Sequence, residues 1–246
     1  RDAAEIDAMV QDKFQYVLGA QLYGMKQPDD FKKVSYDRLK DYYPNMDIVY
    51  FDMGRNYSVL MNGKGESREI QLPGNLGLGE GKPEHQNHLL KFVRGTKLQV
   101  IDVNQDFYIE EAFKMPNLLE AFKKDKNIKL IGIPEDIFTE DFKEIGRYAA
   151  HADRTFASTV QRTLNELGMR MHYGHPDVFD MDYVRQMGGV SKASYVNEDI
   201  FSGYNILLLG KRVEFLEFMR AGKGREVGFP TVFGLFKKFG SGAMQQ

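Results

Sequence analysis

Residues 97–133, KLQVIDVNQDFYIEEAFKMPNLLEAFKKDKNIKLIGI, carry the alternation that sets the fold class. Leu98 to Val103 reads as an apolar strand. Tyr108, Ala112, Met115, Leu119 and Phe122 then recur at helical spacing, and Lys129 to Ile133 reads as a second buried strand. Pro116 falls inside the helical stripe, where a missing N–H and a ring clash cost ~3 kcal/mol, so one helix is expected to end there and another to start. Strand, helix and strand in succession predict an α/β protein.

Working outward toward the N-terminus, Leu89 to Val93 and Leu98 to Val103 flank Arg94-Gly95-Thr96, the pattern of a hairpin. Tyr57 to Met61 and Glu69 to Leu72 flank Asn62-Gly63-Lys64-Gly65, a second hairpin signal. Ile48 to Phe51 reads as a short buried strand, and the alternation of Phe14, Tyr16, Leu18, Ala20 and Leu22 as a half-buried one. Toward the C-terminus, Phe156, Val160, Leu164 and Leu167 form an apolar helical stripe. Asp153 is placed to cap that helix and Gly168 to end it.

The composition excludes several function classes. The chain has 246 residues, 42% of them hydrophobic, which suits a packed globular protein rather than a disordered one. Cys is absent, so disulfides, thiolate metal sites and a cysteine nucleophile are all excluded. Lys and Arg number 33 against 35 Asp and Glu, a net charge of -2 that lacks the basic footprint of a nucleic-acid binder. No apolar run approaches the ~20 residues that span a bilayer.

Charge is local instead. Residues 211–238 hold seven Lys or Arg against three Glu, a balance that attracts a diphosphate. Glycines cluster beside cations at Gly77, Gly79, Gly81 and Lys82, at Gly188, Gly189 and Lys192, and at Gly222, Lys223, Gly224 and Arg225. Such clusters let backbone N–H groups approach an anion, and the bland reading of each is an exposed turn. No Gly-Lys pair satisfies the P-loop spacing, and no glycine triplet satisfies the dinucleotide fingerprint.

Acidic groups supply the remaining candidates. Asp102 and Asp106 stand at and just past the end of a predicted strand, where α/β proteins place ligand-binding side chains or turn-forming carboxylates. Glu198 and Asp199 precede an apolar pair, which suits either a general base or a helix cap. His172, His175, Asp177 and Asp180 crowd one segment without matching a helical zinc spacing, and Asp180-Met-Asp182 is formally a DxD.

KFQYVLGAQLYG (13–24), LPGNLGLGEGKPEHQNH (72–88), VRGTKLQVIDVNQDFYIEEAFKM (93–115), MHYGHPDVFD (171–180), GGVSKAS (188–194), NEDIFSG (197–203) and AGKGREVGF (221–229) follow one another in an order that resembles the 1,3-β-glucan synthase and callose synthase family, glycosyltransferase family 48. The resemblance implies a GT-A-like catalytic domain with a mixed central sheet flanked by helices. It also implies inverting transfer of glucose from UDP-glucose to a growing β-1,3-glucan acceptor. Residues 1–246 then read as one catalytic domain of a larger multi-pass membrane protein, lying at the cytoplasmic face of the plasma membrane and working with the parent's transmembrane domain. A regulatory small GTPase is a partner implied by the family, and nucleic acid is not.

An inverting displacement needs a base on one face of the anomeric carbon and charge stabilisation on the other. The resemblance assigns Asp199 as base, with Glu198 orienting it. Lys82, Lys192 and Arg225 are assigned to the diphosphate, and Asp102, with Asn87 and Asp106 shaping the same pocket, to the nucleotide or donor sugar. Two expectations stay open for the leaving group: a Mg²⁺ held through Asp102, or neutralisation by the three cations alone. No organic cofactor is implied. Two other function classes compete, a non-catalytic module that binds UDP-sugar or glucan, and a glycoside hydrolase, which also uses paired carboxylates.

Overall fold

The computed structural model describes residues 2–24, 30–73, 82–167, 176–189 and 198–244, and these divide into two compact units, 1–95 and 96–246. The first unit runs α1 (Ala3–Lys13), β1 (Val17–Gly19), α2 (Asp30–Tyr42), β2 (Asp47–Asp52), β3 (Tyr57–Met61), β4 (Ser67–Ile70) and α3 (Lys82–Leu89). Its sheet has the order β1-β2-β3-β4, parallel between β1 and β2 and antiparallel elsewhere. Ile48, Val49, Phe51 and Val59 are buried along β2 and β3, as their apolar side chains require. Between these strands Asp52 Oδ1 accepts from the N–H groups of Gly54 (2.9 Å) and Arg55 (3.0 Å), and Asn56 takes a positive φ of 58° to close the turn.

The hairpin expected around residues 62–65 is present as β3 and β4, with Ser58 opposite Ile70 and Met61 opposite Ser67. The strand expected over 14–22 shrinks to three residues. Phe14 caps α1, Phe14 and Tyr16 are 49% and 59% exposed, and residues 21–24 form a turn, so the alternation marks no continuous buried face.

The second unit runs β5 (Lys97–Gln99), β6 (Gln105–Asp106), α4 (Ile109–Lys124), β7 (Ile128–Gly132), β8 (Glu135–Ile137), α5 (Lys143–Arg154), a π-helical stretch (Thr155–Val160), α6 (Gln161–Glu166), β9 (Val178–Asp180), α7 (Met181–Met187), α8 (Glu198–Leu208), β10 (Arg212–Phe215), β11 (Ala221–Lys223) and α9 (Phe229–Ala243). Its strands form a four-stranded sheet, β10-β7-β9-β5, and a three-stranded sheet, β6-β11-β8. Both sheets are mixed: β10 runs parallel to β7 and β11 parallel to β8, while β9 is antiparallel to its neighbours and β6 to β11. The unit is therefore mixed α/β, with helices packed on mixed sheets.

Leu118 and Phe122 of α4 join Ile128, Ile131, Ile133, Val178, Met219 and Ala221 in one buried cluster. Each large apolar side chain buried there contributes ~1.5–3 kcal/mol. That stabilisation corrects the expected break at Pro116. The helix runs unbroken from Ile109 to Lys124 because Pro116 lies on its exposed side, and burial of the opposite face offsets the lost hydrogen bond.

Two further expectations are corrected. No hairpin forms across residues 89–103: Lys82–Leu89 is helical, and Lys97–Gln99 pairs with β9, Lys97 standing opposite Asp180. Nor does a helix start at Asp153, which lies inside α5. The helical path continues through Thr155–Val160, whose wider i→i+5 turn changes which side faces inward. Ala157, Ser158 and Gln161 are buried there, while Phe156 and Leu167 of the expected stripe are 47% and 67% exposed. Gly168 lies outside the described residues.

Candidate functional site

The three-stranded sheet gathers polar groups from each of its strands. Lys223 of β11 pairs with Glu135 of β8 at 2.8 Å, their side chains 8% and 3% exposed. Gln105 of β6 donates to the same carboxylate oxygen at 2.7 Å. An ion pair this dry is retained only when further hydrogen bonds satisfy it, and Gln105 supplies one. Gln105 Oε1 also accepts from the Asp102 N–H at 2.8 Å, which ties the Asp102–Gln105 turn to the same row.

Two glycines set the spacing. A Cβ on Gly222 would meet the Asp106 carbonyl oxygen at 3.2 Å, and one on Gly224 would meet the Phe138 ring at 3.0 Å. Side chains there would force the Asp106 carbonyl and the Phe138 ring to give by a few tenths of an ångström. The Gly224 N–H donates to the Asn104 carbonyl at 2.9 Å, and Asn104 Nδ2 donates back to the Gly224 carbonyl at 2.7 Å. Thr139 holds the next residue in the same way: its hydroxyl accepts from the Arg225 N–H at 2.8 Å and donates to the Arg225 carbonyl at 3.1 Å.

Arg225 follows β11 with a guanidinium that donates from Nη2 to Asp153 Oδ1 of α5. Burial acts to lower its pKa, but the Asp153 hydrogen bond and charge outweigh that and raise it, so the cation is secure. Asp106 stands opposite Gly222, exposed, with Oδ1 accepting from the Phe107 N–H at 2.8 Å. Asp102 is half-buried in its turn. The structure thus brings Asp102, Asp106 and Arg225 to one small sheet.

The other expected residues are placed elsewhere. Asp199 is half-buried in the first turn of α8, its Oδ1 accepting from the Ile200 N–H at 3.0 Å. Since α8 packs on β10, Asp199 belongs to the other sheet of the second unit. Glu198 opens α8, and its side chain lies outside the described residues, as does Lys192. Lys82 opens α3, exposed, and Asn87 is half-buried on the same helix, both in the first unit.

The formal DxD does not act as a pair. Asp180 caps α7 by accepting from the Tyr183 N–H at 3.1 Å and holds Lys97 Nζ at 2.9 Å. Burial alone would raise its pKa, yet these bonds, with Lys129 nearby, keep it below the usual carboxylate range. Asp182 is exposed beside Arg185 at 3.7 Å. Asp177 is fully buried and accepts from the Ile133 N–H at 3.3 Å, while His172 and His175 lie outside the described residues. Among the described residues no three imidazole or carboxylate groups converge on a point where a divalent ion could sit.

Two polar features were not singled out from sequence. Asp153, expected as a cap, is the partner of Arg225; only its place on one helical face with Gly146 and Ala150 could have hinted that it turns inward. In the first unit His88 and Ser58 are both buried, with Nε2 and Oγ 2.8 Å apart. Burial, with small additions from Lys91 and His85, pushes His88 down to about 4, so the imidazole is neutral at physiological pH. A separate, largely apolar cavity of about 370 Å³ between α5 and α9 is lined by Ile145, Tyr148, Val232 and Phe233, with Glu144 at its edge.

Likeness to known proteins extends over the whole chain. Residues 2–246 match the family model described as 1,3-beta-glucan synthase component. Callose synthase 11 of Arabidopsis thaliana is 41% identical over 95% of this chain and 14% of its own length. Putative callose synthase 8 of the same plant is 37% identical over 99% of this chain and 14% of its own length. A 1,3-beta-glucan synthase component of the fungus Cordyceps militaris is 33% identical over 98% of this chain and 14% of its own length. The chain therefore spans about 14% of the length of these relatives. Among the described residues no helix is long and apolar enough to cross a membrane.

Proposed function

Since the chain belongs to the 1,3-beta-glucan synthase component family, we propose that it is the nucleotide-sugar-handling portion of a 1,3-β-glucan synthase, taking UDP-glucose as donor and a β-1,3-glucan end as acceptor. The observation that carries the reading is likeness to callose synthases and to a fungal glucan synthase component along nearly the whole chain. The chain spans about 14% of the length of those relatives, so export of the glucan is assigned to other parts of such a synthase.

The chemistry proposed is a single inverting displacement on a GT-A-like domain. Asp199, with Glu198 beside it, takes the proton of the acceptor 3-hydroxyl as that oxygen attacks the anomeric carbon and UDP departs. Arg225 and Lys192 meet the negative charge that grows on the diphosphate, and Asp102 and Asp106 hold the nucleotide or donor sugar. What supports Arg225 in this role is its setting, a cation held at its backbone by Thr139 and at its head by Asp153. An exposed loop arginine would have to lose its conformational freedom on binding.

The test is glucose incorporation from UDP-glucose by the full-length synthase carrying Asp199→Asn. Loss of the base is expected to lower turnover ~100-fold or more while donor binding persists. Normal turnover would remove the assignment.

A further inference from the structure

We propose that Asp153 is a positioning residue for Arg225, anchoring one terminal nitrogen of the guanidinium so that the remaining N–H donors are presented in a fixed direction to the donor's diphosphate. This rests on the reading of Arg225 as a diphosphate ligand and extends it to a residue 72 positions away in sequence.

The pair is built in an unusual way for one whose purpose is stability. Its side chains are only 10% (Asp153) and 16% (Arg225) exposed, so both groups have left most of their water. A buried carboxylate facing arginine gains most when it closes a two-pronged fork with both oxygens engaged. Here a single prong is made. Asp153 Oδ1 takes Nη2, while Asp153 Oδ2 is buried without a hydrogen-bond partner. Glu226, next in the chain, likewise has Oε2 buried and unpartnered. On the arginine side, Nε and Nη1 meet no acceptor among the described residues.

A half-made buried pair sacrifices stability and leaves donors unspent. What it gains is direction. The backbone of Arg225 is clamped on both its N–H and its carbonyl by the Thr139 hydroxyl, and the preceding Gly224 is clamped twice by Asn104. With the head pinned by Asp153, the rotatable bonds between these points have little freedom left, so an anion arriving at Nε and Nη1 finds them already oriented.

The experiment measures inhibition by UDP, KM for UDP-glucose and kcat in the full-length synthase for Asp153→Asn, Asp153→Glu, Arg225→Ala and the double variant Asp153→Asn/Arg225→Ala. Asp153→Asn should weaken UDP about tenfold, the scale of a misdirected charged hydrogen bond, with KM rising more than kcat falls. Asp153→Glu should recover most of the loss, and the double variant should be no worse than Arg225→Ala alone. If Arg225→Ala weakens UDP and Asp153→Asn does not, the positioning role is overturned while the Arg225 assignment stands. If Arg225→Ala leaves UDP inhibition unchanged, the assignment itself falls and the positioning with it. Should both Asp153 variants fail to fold, Thr139→Val removes the backbone clamp alone: weaker UDP inhibition supports the device, and inhibition equal to wild type overturns it.

Discussion

Replacing Lys223 by Met is the sharpest test of how the three-stranded sheet is held together. The substitution keeps the length of the side chain and removes its charge, leaving Glu135 with a 3% exposed side chain and Gln105 as its remaining side-chain donor among the described residues. Breaking one side of so buried a pair costs about 3–5 kcal/mol, because the surviving charge stays out of water without compensation. At roughly 2–4 °C per kcal/mol for a chain of this size, Tm should fall by about 6–20 °C. The double variant Lys223→Met/Glu135→Leu removes both charges and should recover much of that loss, giving a coupling of at least about 2 kcal/mol. Urea and thermal unfolding of the purified chain, followed by circular dichroism, would measure both. A single variant that loses less than about 1 kcal/mol would refute the reasoning, since that is the scale of a solvated pair.

Two other outcomes follow from the described geometry. His88 is pushed down to about 4 in the folded chain against an ordinary 6.5, so the unfolded chain takes up a proton first; stability should be complete above about pH 6.5 and decline as pH falls toward 4, and His88→Phe should flatten that limb in pH-dependent urea titrations. Pro116 is exposed within an unbroken helix, so Pro116→Ala restores one backbone hydrogen bond and should raise stability by about 1–3 kcal/mol; an unchanged or lower urea midpoint would show that the helix is shaped around the ring.

What the sequence made legible is what local chemistry decides. The β3–β4 hairpin was readable because Asn62 and Gly65 announce the turn, Gly65 taking a φ of 84°. β2 and β7 were readable as apolar runs too short to be helices. The hairpin over 89–103 was misread because β5 finds its partner in β9, and no local pattern encodes a pairing of Lys97 with Asp180. Asp153 was misread for a related reason. An acid ahead of an apolar stripe resembles a cap, and nothing nearby discloses that its oxygen is used by Arg225. Of the candidate residues, Asp102, Asp106 and Arg225 were joined by the strand pairing of β6 with β11. Asp199 went to the other sheet because α8 packs on β10, a choice made by tertiary packing rather than by the residues around it.

The wide turn at Thr155–Val160 behaves as a phase shifter between two helical segments. An α-helix advances about 100° and 1.5 Å per residue, and the wide turn absorbs about one residue more than an α-turn does, so straightening 155–160 into α geometry without removing a residue would rotate everything beyond it by about that angle and push it on by about 1.5 Å. Arg162, which now reaches Glu217, would swing away from it, and Gln161 would leave its buried place on the inner face. Upstream, Asp153 would keep its grip on Arg225. Forcing 155–160 into α geometry would therefore uncouple the two ends of a helical run, disturbing the packing of α6 against β10 while sparing the Arg225 anchor, whereas deleting one residue there would be absorbed as the wide turn closes.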